Sequence, residues 1–158
     1  GVRSVRMVPM LHGYPFREWV VKPWLDWLAA EGIPLWLPAS FGFQQRTHEI
    51  DPSPLHDTIA VHPGLRVVLS EVHYRHLPWA LSMLRSLPNL SVDISWHYST
   101  DGISMLMDAF GEGRILFGSR FPDAPMAPQL YHLHRCGLSK AALEAICSGN
   151  LVRLLAKE

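Results

Sequence analysis

Charge of one sign is what this chain most plainly lacks: its fourteen Lys and Arg residues are matched by fourteen Asp and Glu residues over 158 positions. No basic stripe stands out, which argues against nucleic acid or a membrane surface as an electrostatic partner. No apolar run approaches the ~18–20 residues that a membrane-spanning helix needs. No secretory signal is expected ahead of the first strand. Cysteine is nearly absent. Cys136 and Cys147 are too few for a disulfide framework, so a reducing, cytoplasmic setting is expected and both are read as small buried hydrophobes. There is no glycine-rich phosphate loop and no low-complexity segment. The six tryptophans form no ladder suited to base stacking, and Trp24 and Trp27, sharing a helical face, read as core.

What remains is a core-rich chain, 48% apolar and 18% charged. Five strand-like apolar runs recur along it: Val2–Pro9, Ile33–Leu37, Leu65–Leu69, Leu90–Ile94 and Arg114–Phe117. Helical or loop stretches separate them, a pattern that predicts βαβ units and a parallel sheet. The helices carry their own punctuation. Pro23 fits a first helical turn and Gly32 a stop. Asp101 fits an N-cap for the stripe Ile103, Leu106, Met107 and Phe110, which Gly111 closes. Pro78 opens the helix bearing Leu81 and Leu84, and Ser139 caps the last helix. In the fourth run Leu90, Val92, Ile94 and Trp96 point one way and Ser91, Asp93 and Ser95 the other, so a polar inner row is expected to line a site. The stretch Ala39–Pro63 reads as a long irregular loop with a short helix at Leu55–Val61.

The segment Arg114-Ile115-Leu116-Phe117-Gly118-Ser119-Arg120-Phe121-Pro122 reads as a short buried strand breaking into a glycine-led turn that presents Arg120 at the strand's C-terminal end. It resembles the last barrel strand of the amidohydrolase-related family. The likeness extends through the chain in order. Gly1–Arg6 is similar to that family's fourth strand, Leu25–Pro38 to a helix and the fifth, His62–Leu69 to the sixth, and Pro88–Asp93 to the seventh. Gly137–Leu155 is similar to its closing helix. The resemblance implies an α/β fold: the C-terminal five βα units of a (β/α)8 TIM barrel with parallel strands, one partial domain over residues 1–158. A whole barrel takes ~250 residues. Strands one to three are therefore expected upstream, in keeping with a chain that opens on Gly1 instead of Met.

The resemblance also implies a metal-dependent hydrolase, with zinc or a similar divalent cation held by histidines and an aspartate at strand ends. Here Pro38 and Glu71 fall at two histidine positions and Arg120 at the aspartate, so no metal ligands are expected among these residues. The chemistry left to the strand ends is organic. Glu71, His73 and Asp123 are the candidate catalytic residues, with Glu71 as general base. Arg120, His12 and His97 are the candidate substrate-binding residues, with Arg120 holding a carboxylate bidentately. An ion pair between Glu71 and Arg120 is the structural alternative. The expected activity is hydrolysis or decarboxylation of a small molecule bearing a carbonyl or carboxylate. The alternative is a barrel that binds a ligand or serves as structure without catalysis. Self-association into a homo-oligomer is compatible with either.

Overall fold

The computed structural model describes residues 1–43, 46–99 and 101–156. Its centre is a five-stranded sheet of β1 (Val5–Arg6), β2 (Leu35–Pro38), β5 (Val67–Ser70), β6 (Leu90–Asp93) and β7 (Ile115–Leu116), adjacent in that order. Every pairing is parallel. Strand order that follows chain order is the winding of a barrel wall, whereas doubly wound sheets reverse direction at a switch point.

Burial along each strand explains its sequence. All four residues of β5 are buried, as expected for a strand covered on both faces. In β6, Leu90 and Val92 are buried while Ser91 and Asp93 are half-buried. One face of β6 packs into the core and the other looks into the open side of the sheet. Each strand of this sheet overlaps its predicted run, although β2 and β5 extend one residue further, to Pro38 and Ser70.

Helix α2 (Glu18–Ala30) corrects the reading of the tryptophans. Its buried stripe is Val21, Leu25 and Leu28, whereas Trp24 and Trp27 are 59% and 41% exposed. The helix begins five residues before Pro23, which lies inside it. This phase turns the tryptophans off the inner face. An interior proline frees a carbonyl one turn back, and because Pro23 is on the exposed side water can reach it. The cysteines also differ from expectation: Cys136 is half-buried and Cys147 exposed.

The stretch after β2 is more regular than a loop. Strands β3 (Ser40–Phe43) and β4 (Arg46–Glu49) form an antiparallel hairpin. Gln44 and Gln45 of its polar run lie outside the described residues. Helix α3 (Pro52–Ala60) follows, its first turn capped by Asp51 accepting from Ser53 N at 3.0 Å. Helix α4 (Leu77–Ser86) succeeds a single 3₁₀ turn at Tyr74–His76. Helix α5 (Gly102–Phe110) starts after Asp101, which adopts φ 56° and makes no side-chain cap bond, unlike the expected N-cap.

Helix α1 (Pro9–His12) follows β1, and α6 (Ala127–Arg135) follows β7. The closing helix divides into α7 (Lys140–Glu144), a π turn at Ala145–Gly149, and α8 (Asn150–Leu155). Ser139 caps α7 as expected, accepting from Ala142 N at 3.1 Å. Asn150 donates to the carbonyls of Glu112 and Ile115, fastening this ending to β7. No helix among the described residues is long and apolar enough to cross a membrane.

Candidate functional site

The C-terminal ends of the five parallel strands bring distant residues to one rim. Pro38 sits opposite Ser70 in register, and Glu71 follows Ser70 directly. There Glu71, Arg6 from β1 and Arg120 from the turn after β7 meet. Arg6 Nη2 donates to Glu71 Oε1, and Arg120 Nε stands 3.8 Å from Oε2. The Glu71 side chain is only 9% exposed, so its charge is stabilised mainly by these two guanidiniums. Oε2 takes no hydrogen bond among the described residues.

Both Glu71 and Arg120 lie in the left-handed backbone region, at φ 55° and 59°. Neither is glycine, and such conformations cost about 1–3 kcal/mol each unless surrounding structure enforces them. Strain of this kind gathers at functional sites. Arg120 is held from behind by Trp96, whose ring centre lies 4.0 Å from its Cζ. This cation–π contact fixes the guanidinium plane.

The residues enclose a cleft of ≈ 230 Å³. Ser70, Asp93, Ser95 and Gly118 line it alongside the charged trio, Trp36 and Phe121 form aromatic walls, and Asp123 completes the lining. Ser95 links its polar groups: its hydroxyl accepts from Glu71 N at 3.4 Å and donates to Asp93 Oδ1, to which Ser95 N also donates at 2.9 Å. Asp93's carboxyl is pushed above the usual carboxylate range, foremost by burial. The Ser95 bonds and Arg6 oppose that shift, while the Glu71 charge adds to it. Gly118 is required here by space, because a Cβ would stand 2.9 Å from Ser95 Cβ and 3.1 Å from Asp93 Cγ.

Larger hollows lie elsewhere: ≈ 540 Å³ between α3 and α4, ≈ 440 Å³ beside α2 and the first residues, and ≈ 270 Å³ between α1 and the segment joining β4 to α3. None of these gathers opposed charges from several ends of the parallel strands, so chemistry rather than size marks the site.

Of the residues singled out in the sequence, Glu71, Arg120 and Asp123 line this cleft and three others stand apart. His73 packs against the far surroundings of Trp96, with ring centres 5.5 Å apart and its own pKa lowered chiefly by burial. His12 is exposed at the end of α1 and stacks on Tyr14. His97 is only 1% exposed, enclosed under the start of α5, and does not reach the cleft. Among the described residues neither ring nitrogen makes a well-formed hydrogen bond, and burial lowers the pKa of His97 against the opposing pull of the Gly102 backbone. Sequence reasoning missed Arg6, Trp36 and Ser70 as cleft residues. Asp93 and Ser95 were visible in the alternation of β6 but were given no role.

The metal implied by the resemblance does not fit the residues present. Pro38 has no donor, Arg120 brings a positive charge to the aspartate position, and Glu71 is already bound by Arg6. Among the described residues no three His, Cys, Asp or Glu side chains gather as a ligand set.

No curated protein matches this sequence. Among solved structures, an uncharacterised TIM-barrel protein from Bordetella bronchiseptica superposes with a TM-score of 0.80 at 22% identity, covering 98% of this chain and 57% of its own. A dihydroorotase from Campylobacter jejuni gives 0.69 at 16%, covering 98% and 59%. A 5-carboxyvanillate decarboxylase from Sphingomonas paucimobilis gives 0.62 at 15%, covering 84% and 52%. The chain thus spans between half and three-fifths of these proteins, and at such identities the likeness establishes the shared barrel fold. The amidohydrolase family model matches residues 1–157, and the chain belongs to the amidohydrolase family.

Proposed function

We propose that the cleft binds a small carboxylic acid or its derivative, with Arg6 and Arg120 as the anion clamp and Glu71 as the base for hydrolysis or, in decarboxylation, as the group that passes a proton from water to the carbon left when CO2 departs. The observation that carries this is the meeting of two guanidiniums around one buried carboxylate at the strand ends, with Glu71 Oε2 left without a hydrogen bond. A guanidinium fork matches a carboxylate in shape and charge. The volume is below the ~300 Å³ lower end of common ligand sites, which favours a small acid. Trp36 and Phe121 supply flat apolar walls for an unsaturated or aromatic body.

In the hydrolytic form, Glu71 Oε2 takes a proton from a water molecule. The resulting hydroxide adds to the carbonyl carbon while the guanidiniums offset the charge that grows on oxygen, and collapse of the adduct expels the leaving group, which takes the proton from Glu71. One structural neighbour is named a decarboxylase and another a dihydroorotase, which supports keeping both bond types in the proposal.

The second reading, a barrel that binds without catalysing, draws on the same ion pairs. A carboxylate facing two guanidiniums also joins β1, β5 and the turn after β7 as plain structure. The two readings separate in Glu71→Gln, tested with small aromatic acids and carboxylate-bearing esters. The catalytic reading expects turnover to vanish while ligand still binds. Unchanged turnover removes Glu71 from the mechanism, and binding without turnover in the unmutated protein favours the second reading.

A further inference from the structure

Asp93 shares the cleft with Glu71 but not its partners. Arg6 bonds Glu71, and Arg120 faces Glu71 from the other side. Among the described residues Asp93 receives only the two Ser95 donors, both on Oδ1. The backbone after β7 passes so close that a Cβ at Gly118 would lie 3.2 Å from that same oxygen. One face of the carboxyl is therefore walled by Gly118 and Ser95, and Oδ2 has no hydrogen-bond partner among the described residues. A half-buried carboxyl with no cation bonded to it and a second carboxylate beside it is shifted toward the neutral acid. The direction of its pKa agrees.

We propose that Asp93 is a protonated acid that donates its O–H to the carboxylate of the bound ligand, so that the cleft holds that anion with an acid O–H as well as with the arginine clamp. This rests on the reading of the cleft as a carboxylate site and adds the group that completes it. Arg6 and Arg120 bring two positive charges to the cleft, and Glu71 and Asp123 bring two carboxylates. Were Asp93 ionised as well, the ligand would meet three carboxylates against two guanidiniums. The neutral acid removes that repulsion and supplies one donor, as a carboxylic acid can.

The charged and titratable groups around Asp93 are Arg6 from β1, Glu71 after β5, and Arg120 and Asp123 after β7. His73 lies against Trp96 and is the imidazole most able to mimic an Asp93 titration.

The test is calorimetric titration of benzoate into the protein across roughly pH 5 to 9, the span in which strongly raised carboxyl pKa values fall. Affinity is expected to be constant on the acid side, then to fall about tenfold per pH unit above the Asp93 titration. Asp93→Asn, whose amide N–H replaces the acid O–H, is expected to bind with a flat pH profile. Should that variant fold poorly, the unmutated protein supplies the second readout: at high pH, benzoate binding takes up a proton, seen as a heat that varies with the buffer's ionisation enthalpy. Benzoate binding with a flat profile and no proton uptake overturns the role of Asp93 and leaves the arginine clamp standing. A fall that persists in Asp93→Asn assigns the titration to another group and also overturns it. No benzoate binding at any pH overturns the carboxylate reading of the cleft itself.

Discussion

The guanidinium of Arg120 lies over the indole of Trp96, with Cζ 4.0 Å from the ring centre, and from that seat its Nε faces Glu71 across 3.8 Å. Residues 24 positions apart thereby act as one device: the ring orients the cation, and the cation faces the carboxylate. His73 supports the same indole edge-on at 5.5 Å.

Trp96→Leu removes that seat. A partly desolvated cation–π contact is worth about 0.5–2 kcal/mol. Carboxylate affinity should weaken by a few-fold to about thirtyfold on that scale, with Trp96→Phe in between. Equal affinity in all three proteins, measured by calorimetry, would show that Arg120 is positioned by something else.

Gly118→Ala tests the close approach at the cleft floor. The new methyl meets Ser95 Cβ at 2.9 Å and Asp93 Cγ at 3.1 Å, and both are anchored near the backbone. Overpacking of this kind costs about 1–3 kcal/mol. The urea midpoint should drop and carboxylate binding should weaken. A variant matching the parent in both would place more free space there than the structure shows.

Gly102→Ala makes a comparable demand away from the site. Its Cβ would lie 2.3 Å from His97 Nε2, and the imidazole is enclosed. Loss of about 1–3 kcal/mol of stability is expected. At Gly113 the nearest atom to a new Cβ is Arg153 Nη2 at an ordinary 3.7 Å, so Gly113→Ala serves as the mild comparison. Similar unfolding midpoints for the two variants would refute the contact.

Acid should loosen the fold through its enclosed imidazoles. Burial is the foremost cause lowering the pKa of His73, His76 and His97. Such groups bind protons more weakly folded than unfolded. Their contribution is complete above the ordinary imidazole value of ~6.5 and is lost as pH falls through the lower folded values. Asp93, shifted upward, has the opposite sign: its contribution is present below the ordinary carboxyl value of ~3.9 and is lost as pH rises through the folded value. His97→Gln should therefore show a smaller drop in urea midpoint between about pH 7.5 and about pH 5.5 than the parent. An identical drop would exclude His97 as a source.

Much of the wall was legible because each strand is a local apolar run bounded by turn residues, and short runs such as Leu65–Leu69 carry their own signal. The hairpin β3–β4 was not, since Arg46-Thr47-His48-Glu49 has no apolar alternation from which to read a strand. Trp24 and Trp27 misled for a related reason: two large apolar rings three residues apart look like a buried face, but Val21, Leu25 and Leu28 occupy it. At the site, Glu71 and Arg120 could be found because each follows an apolar strand directly. Arg6 could not, because its significance comes from Glu71, 65 residues away. Asp93 stood in plain view in an alternating strand. What the sequence could not show is that both nearby cations would turn toward a different carboxylate.

The most direct test of the account is benzoate titrated into the unmutated protein and into Arg120→Gln at neutral pH, with heat measured at matched protein concentrations. The clamp predicts saturable binding that weakens at least about tenfold in the variant, since a charge-assisted hydrogen bond contributes about 1.5–3 kcal/mol. Absence of binding in the unmutated protein, or equal affinity in both, would contradict it.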